Sequence, residues 1–448
     1  MLMAGRIAGA NLCILATGAG TADTMSNLHP PMDPVVRSRA LRDALADVLA
    51  EGAVDVGFQP VVDLATRRTV GWEALARGPA GTELEQPDRL FTAARAAGRL
   101  DELDWLCQRT ALQNALRAGV RAPAVVFLNV EPDTSGFMPL DLRALYAEAT
   151  DQMTVAVEIT ERALTHRPAA LLGHVADMRS LGVAVALDDV GTDRDSMAMM
   201  SVIAPDVIKL DLALFVGSPD AEVAGLINAV TAQTERSGAT IVVERVETDE
   251  DARAAGSLGA DLAQGWLFGA RGMLDALPAP PQHPVVRPLG PQADPRDIAP
   301  FARLSAEREV RRASFPLLAA MSRQLEGQAR ALGHEAVLLA CFQDPARFEP
   351  AADRYAGLAG EVAFVAAIGR DMPSEPAPGV RGGAIAAGEP LANEWCVAVV
   401  SPHFAVALSA HELGERDSAG ESLYDFVLTY ERELAVGTAA SLMARVAG

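Results

Sequence analysis

Cysteine is scarce in this chain: four residues, Cys13, Cys107, Cys341 and Cys396, lie far apart among 448. No C-x-x-C pair and no histidine cluster accompanies them. That argues against a thiolate metal site or a disulfide framework and fits a reducing compartment, the cytoplasm. Basic residues are few as well, 38 Lys and Arg against 59 Asp and Glu, for a net charge of -21. Such a balance argues against a nucleic-acid polymer or an anionic membrane surface as partner. Long apolar runs are missing, and nothing approaches the ~20 residues a transmembrane helix needs, so no membrane insertion is expected. Histidine forms no H-x-H pair and stands at no predicted strand end, which disfavours the metal hydrolases built on imidazole ligands.

What is present suffices for sizeable cores: half the residues are hydrophobic, and the length implies two or three domains. Residues 1–34 stand apart. One Arg precedes a weak apolar stretch, Ile7 to Thr17, interrupted by Gly and Asn. It reads either as a signal peptide or as a disordered extension from a mis-assigned start, with Met25 or Met32 as the true beginning. Arg37–Ala50 has the apolar spacing of a lead-in helix. Strand patterns follow at Gly57–Leu64, Thr69–Ala76, Val125–Val130, Thr154–Ile159, Ala184–Asp188, Val207–Leu210, Thr240–Val243 and Leu262–Phe268, separated after the first pair by helical segments. Eight strands and their helices in about 215 residues match the size of a (β/α)8 barrel.

Leu277 to Pro300 holds eight prolines in 24 residues, which excludes a helix or a central strand and reads as an extended linker. The expected partition is a barrel over 35–275, a Pro-rich linker over 276–300, and a smaller α/β or α+β domain over 301–448. In the last, Arg312–Ala331 reads as a helix, Ala336–Phe342 and Val362–Ile368 as strands, Glu394–Ser401 with Ala405–Ser409 as a hairpin, and Tyr424–Val446 as a long terminal helix.

The chemistry gathers at the C-terminal ends of the barrel strands, the face on which such barrels place catalysis. Glu73, Asn129, Glu158, Asp188, Asp189, Lys209, Asp211 and Glu244 each fall at or just past the end of a short apolar run. Carboxylates converging on one barrel mouth repel one another unless cations sit among them. Oxygen donors without His or Cys favour Mg²⁺ or Mn²⁺, and the adjacent Asp188 and Asp189 allow two ions to be served from one strand. A two-ion site is the usual apparatus of phosphodiester hydrolysis. Lys209 offers an ammonium to hold water or balance charge, and Arg77 a guanidinium for a phosphate.

From about Gly57 to Arg271 the sequence resembles the EAL domain family of cyclic-di-GMP phosphodiesterases. The resemblance is carried by Glu73-Ala74-Leu75 within E-x-L-x-R, F-Q-P-V-V-D-L at Phe58–Leu64, Asn129, and E-I-T-E at Glu158–Glu161. It continues with Asp188-Asp189, P-D-V-I-K-L-D at Pro205–Asp211, E-x-V-E at Glu244–Glu247 and D-L-A-Q-G-W-L-F-G at Asp261–Gly269. It implies a TIM-like barrel, often dimeric, that linearises cyclic-di-GMP to 5′-pGpG with Mg²⁺ or Mn²⁺. By the same resemblance Glu73, Asn129, Glu158, Asp188, Asp189 and Glu244 are metal ligands, and Lys209 positions the nucleophilic water. Gln59, Arg77 and Gln264 would face substrate, and Glu161 would anchor the loop after Asp189, the loop that couples dimerisation to metal binding. Two departures stand out. The family usually reads D-D-F-G-T/A-G-x-S-S after the fifth strand, where this chain reads Asp188 to Ser196 as D-D-V-G-T-D-R-D-S; and Arg245 replaces a family glycine. Neither removes a ligand. Both leave open a rival in which the barrel binds cyclic-di-GMP or a protein without turning the nucleotide over.

The segment from about Ser314 to Ala447 resembles the DICT sensory domain, on Met321–Glu326, Cys341-Phe342-Gln343, Arg354-Tyr355, Gly379-Val380-Arg381, Glu394-Trp395 and the Phe426 segment. That resemblance implies a module that senses a small ligand or signalling partner and modulates the barrel.

Overall fold

Short Val/Ile/Ala-rich segments, buried on both faces, close the first unit into a barrel. The computed structural model describes residues 34–447, apart from 132–137, 161–165, 193–195, 216–219, 275–276, 278–280 and 387. The barrel strands are β1 (Asp55–Asp63), β2 (Thr69–Arg77), β3 (Val125–Asn129), β4 (Thr154–Thr160), β5 (Ala184–Asp188), β6 (Val207–Asp211), β7 (Thr240–Glu244) and β8 (Leu262–Gln264), in that order around a closed ring. Neighbours from β2 to β8 run parallel, whereas β1 is antiparallel to both β2 and β8. The polar turn between β1 and β2 is therefore a hairpin. Among the described residues, the helices of this unit are α1 (Pro34–Glu51), α2 (Pro87–Ala97), α3 (Leu100–Ala118), α4 (Leu140–Gln152), α5 (Pro168–Ser180), α6 (Ser196–Ile203), α7 (Ala221–Ser237) and α8 (Asp249–Ser257). The expected eighth strand is shorter than its apolar run. Gly265 takes φ +157°, and a Cβ there would meet the Val246 carbonyl oxygen at 2.1 Å, so the chain turns away.

Inside the barrel, Val61, Val125, Phe127, Ala156, Ala186, Val207, Val242 and Leu262 form one packed cluster. Val286, 2% exposed, belongs to it. The Pro-rich segment thus crosses the N-terminal end of the barrel instead of standing free. Val285 O accepts from Thr240 Oγ1 at 2.7 Å, the Leu289 amide donates to Asp206 Oδ1 at 2.6 Å, and Arg179 Nη1 donates to Gln292 Oε1 at 3.1 Å.

The second unit is a seven-stranded sheet ordered β12-β11-β10-β13-β14-β15-β9. Its strands are β9 (Arg311–Ser314), β10 (Val337–Gln343), β11 (Phe364–Gly369), β12 (Arg381–Ala384), β13 (Glu394–Val400), β14 (Ala405–Arg416) and β15 (Ser422–Thr429). Its helices, among the described residues, are α9 (Pro300–Glu307), α10 (Phe315–Leu332), α11 (Pro345–Phe348), α12 (Ala352–Ala359) and α13 (Arg432–Met443). Alternation on β10 sends Leu338 and Ala340 toward α10, while Val337, Leu339 and Cys341 share a cluster with α13. Two expectations fail here. Residues 311–314 open the supposed helix as a strand, and the long terminal helix begins only at Arg432. Ser422–Thr429 has the alternating burial of a strand and pairs with both β14 and β9. Tyr424, Phe426, Val427 and Thr429 favour a strand, and pairing on both sides, with β14 and with β9, fixes it.

The two units share one apolar core. From Met197 to Ile203 every side chain of α6 is buried, the signature of a helix covered on all sides. The barrel covers one side and α13 the other. Arg432 Nη2 donates to Ser201 Oγ at 2.6 Å and to the Ser401 carbonyl at 2.7 Å, and Arg381 Nη2 reaches the His166 carbonyl at 2.9 Å.

Candidate active site

From β3 to β8, an apolar side chain in the barrel interior is followed two residues later by a polar one, on the same face and nearer the mouth. Phe127 precedes Asn129, Ala156 precedes Glu158, Ala186 precedes Asp188, Val207 precedes Lys209, Val242 precedes Glu244 and Leu262 precedes Gln264. Parallel register sets Asn129 beside Glu158, and the antiparallel hairpin sets Gln59 beside Glu73. A ring of polar groups over an apolar plug is the result.

Lys209 stands at its centre, 2% exposed. Its Nζ lies 2.6 Å from Glu158 Oε1, 2.6 Å from Glu244 Oε1, 3.3 Å from Asp188 Oδ1 and 3.7 Å from Glu73 Oε2. Asn129 Nδ2 donates to Glu73 Oε1 at 2.9 Å, and Gln264 Nε2 donates to Glu73 Oε2 at 2.6 Å and to Gln59 Oε1 at 3.2 Å. The electrostatics follow from one ammonium among four carboxylates. Burial and then repulsion from Glu73 hold Glu158 well above the carboxylate range, despite Lys209. Burial, with Asp188 and Glu73 repelling, pushes Glu244 up to about 7. Against burial, Lys209 and the amides of Asn129 and Gln264 keep Glu73 low. Burial and the neighbouring Asp188 raise Asp189.

The donor set fits hard divalent cations. Asp188, Asp189 and Glu244 offer oxygens within 4.8 Å of one another. Glu158 Oε2 is buried with no hydrogen-bond partner, an acceptor waiting for positive charge. All ligands are oxygens, which suits Mg²⁺ or Mn²⁺.

Beside this cluster opens a cavity of about 600 Å³ that runs outward between β2, β3 and helices α2 and α3. Glu73, Asn129 and Asp189 line it, together with Phe91, Arg95 and Asp104. Asp104 is 1% exposed, accepts from Gln108 Nε2 at 2.7 Å, and receives the Glu131 amide at 3.3 Å. Sequence reading missed this wall. The available signal was a carboxylate on the apolar stripe of the amphipathic helix α3. Of the other expected site residues, Gln59 and Gln264 join the cluster, whereas Arg77 is bonded to Gln86 Oε1 at 3.1 Å and is not among the cavity-lining residues. Glu161 lies outside the described residues.

Residues 38–271 match the EAL domain model, and residues 303–413 match that of the DICT domain, a sensory domain in diguanylate cyclases and two-component systems. The chain belongs to the EAL domain family, with a DICT domain behind the barrel. Among its relatives, cyclic di-GMP phosphodiesterase RocR of Pseudomonas aeruginosa is 30% identical over 251 residues, 54% of this chain and 62% of that protein. Cyclic di-GMP phosphodiesterase NbdA of the same organism is 28% identical over 238 residues, 51% of this chain but 30% of NbdA. The chain spans only about a third of the length of several curated relatives it matches. Among solved structures, the Klebsiella pneumoniae BlrP1 manganese/cyclic-di-GMP complex is 24% identical with a TM-score of 0.43, covering 50% of this chain and 57% of that one. The Xanthomonas citri FimX EAL domain in complex with cyclic-di-GMP is 18% identical with a TM-score of 0.46, covering 55% and 98%. Among the described residues, no helix is long and apolar enough to cross a membrane.

Proposed function

We propose that this chain hydrolyses one phosphodiester of cyclic-di-GMP to give linear 5′-pGpG. The observation that carries this reading is the buried carboxylate cluster around Lys209, with Glu158 Oε2 left without a partner. Glu73, Asn129, Glu158, Asp188, Asp189 and Glu244 would hold two Mg²⁺ or Mn²⁺ ions, which when bound lower the pKa of water and neutralise charge on phosphoryl oxygens. Lys209, freed from part of its carboxylate contacts, holds the attacking water by an ammonium hydrogen bond. Gln264 and Asn129 fix the Glu73 carboxylate from both sides, so its geometry is set before substrate arrives. The cavity bounded by Phe91 and Asp104 takes the body of the nucleotide away from bulk water. Arg77 swings from Gln86 to a phosphate.

The C-terminal domain modulates this activity. Support comes from α13 lying against α6, the helix that follows the Asp188-Asp189 loop, a more direct route than the Pro-rich segment. The same reading includes a homodimer formed through the barrel, checked by sedimentation of the full chain.

The test is chromatography of products from cyclic-di-GMP with Mn²⁺ or Mg²⁺. Formation of pGpG that Glu73→Ala abolishes supports the enzyme. Tight binding with no product would overturn hydrolysis in favour of a receptor, the reading that Asp189 and Arg245 in left-handed backbone, at φ 57° and 58°, also feed.

A further inference from the structure

Two helices give one face each to the cavity beside the carboxylate cluster. On α2, Asp88, Phe91 and Arg95 fall at i, i+3 and i+7, a single stripe, and all three line it. On α3, Asp104 and Gln108 stand one turn apart and line it too, and Glu131, just past β3, adds a further carboxylate. Charge decides what kind of group this part of the wall accepts. Asp88, Asp104 and Glu131 are acidic, and among the described lining residues Arg95 is the single cation. A phosphate set between such carboxylates is repelled, so its place is over the Lys209 cluster and the ions held there. What remains for the slot is an uncharged base. Guanine is the complement of these walls, with N1–H and N2–H donors for carboxylates and O6 and N7 acceptors for a guanidinium. Adenine turns its N6 amino donor toward the arginine instead.

Arg95 is placed for that contact and is dispensable for the fold. Its side chain is 51% exposed, and Nη2 donates to Glu131 Oε2, itself part-exposed, at 2.9 Å. A pair so open to water contributes little to stability. The wall is set by other bonds. The Glu131 amide donates to Asp104 Oδ1 at 3.3 Å, Gln108 Nε2 donates to Asp104 Oδ2 at 2.7 Å, and the buried Tyr146 hydroxyl donates to Gln108 Oε1 at 2.8 Å. The ion pair therefore serves chiefly to aim the guanidinium, which keeps N–H donors to fork onto a ligand. Resting on the reading above, we propose that Arg95 is a specificity-determining residue: it forks onto O6 and N7 of a guanine seated against Phe91, and so selects cyclic-di-GMP over cyclic-di-AMP.

The test uses the full chain with Mn²⁺ and three substrates: cyclic-di-GMP, cyclic-di-AMP, and cyclic-di-GMP carrying 7-deazaguanine bases, which lack the N7 acceptor. Arg95→Ala is expected to lower kcat/KM for cyclic-di-GMP about tenfold. Arg95→Gln, whose amide pairs with N6 and N7 of adenine, should shift the ratio of the two natural substrates toward cyclic-di-AMP by about tenfold or more. The native chain should lose about fivefold on the 7-deaza substrate, and Arg95→Ala should show no such loss. Melting temperatures of both variants should stay at the native value. A 7-deaza penalty equal in the native chain and in Arg95→Ala, or a substrate ratio unchanged in both variants, would overturn the proposal and leave hydrolysis intact. A native chain that binds cyclic-di-GMP without cleaving it would overturn hydrolysis alone, and the same comparison of Kd values would then decide the role of Arg95. A native chain that neither binds nor cleaves it would remove both.

Discussion

One ammonium serving four carboxylates is a poor balance of charge, and its consequences are local to the side chains involved. Replacing Lys209 with Met strips the cluster of its internal counter-ion. Breaking such a buried arrangement costs about 3 kcal/mol, so melting in chelator should drop, Mn²⁺ should restore part of it, and turnover should fall a hundredfold or more by order of magnitude. Protons report on the same imbalance. Glu244 is raised from 4.5 to about 7 by burial first, and Glu158 is raised too. A carboxyl with a higher pKa folded than unfolded stabilises the fold while protonated, and that contribution is lost as pH climbs through its folded value. In chelator, the melting temperature should therefore fall between about pH 5 and pH 8, and a saturating divalent cation should flatten the slope. A melting temperature that rose across that window would contradict the cluster as described. Sequence alone delivered most of these residues, because a polar side chain two places beyond a buried apolar one is visible in any strand. It did not deliver Asp104 or the Arg95–Glu131 pair. Those depend on which helix stripe and which neighbouring strand come to the mouth, and spacing within one segment carries no such information.

At the scale of elements, the barrel was legible because most of its strands are short, apolar and ended by a polar group, and most of its helices have an apolar stripe. The second unit was harder. Ser422–Thr429 pairs with strands distant in sequence, and β12, four residues with two glycines, has almost no pattern of its own. The α6–α13 contact was invisible for the same reason, although Met197–Ile203 hinted at it by being apolar on every side. Arg432 sits in that contact, part-buried, with its guanidinium lowered to about 10 by burial and by Arg236. Its partners are a hydroxyl and a carbonyl, not carboxylates. Arg432→Ala should cost about 1–2 kcal/mol by denaturant unfolding. If the C-terminal domain speaks to the barrel through α6, Mn²⁺ affinity should shift in the same variant. An unchanged affinity in a destabilised protein would make the contact purely structural.

For the molecule as a whole, the continuous core makes the barrel and the DICT domain one cooperative body, and unfolding should show a single transition by both fluorescence and calorimetry. Two separated transitions would show that the shared cluster is weaker than its burial suggests. Where the chain is cut also matters. A barrel fragment that stops at residue 276 loses Val286, whose burial is worth about 2 kcal/mol, together with the bonds to Thr240 and Asp206, and should melt well below one that runs to residue 293. Both fragments leave α6 uncovered and should self-associate more than the full chain does.

The proline-rich stretch behaves less like a tether than like a cork on a string. Pulling the C-terminal domain away from the barrel would drag a valine out of the floor beneath the polar ring, so the two halves cannot swing apart as beads do. Any signal that moves one relative to the other has to work by small slips along a sealed seam.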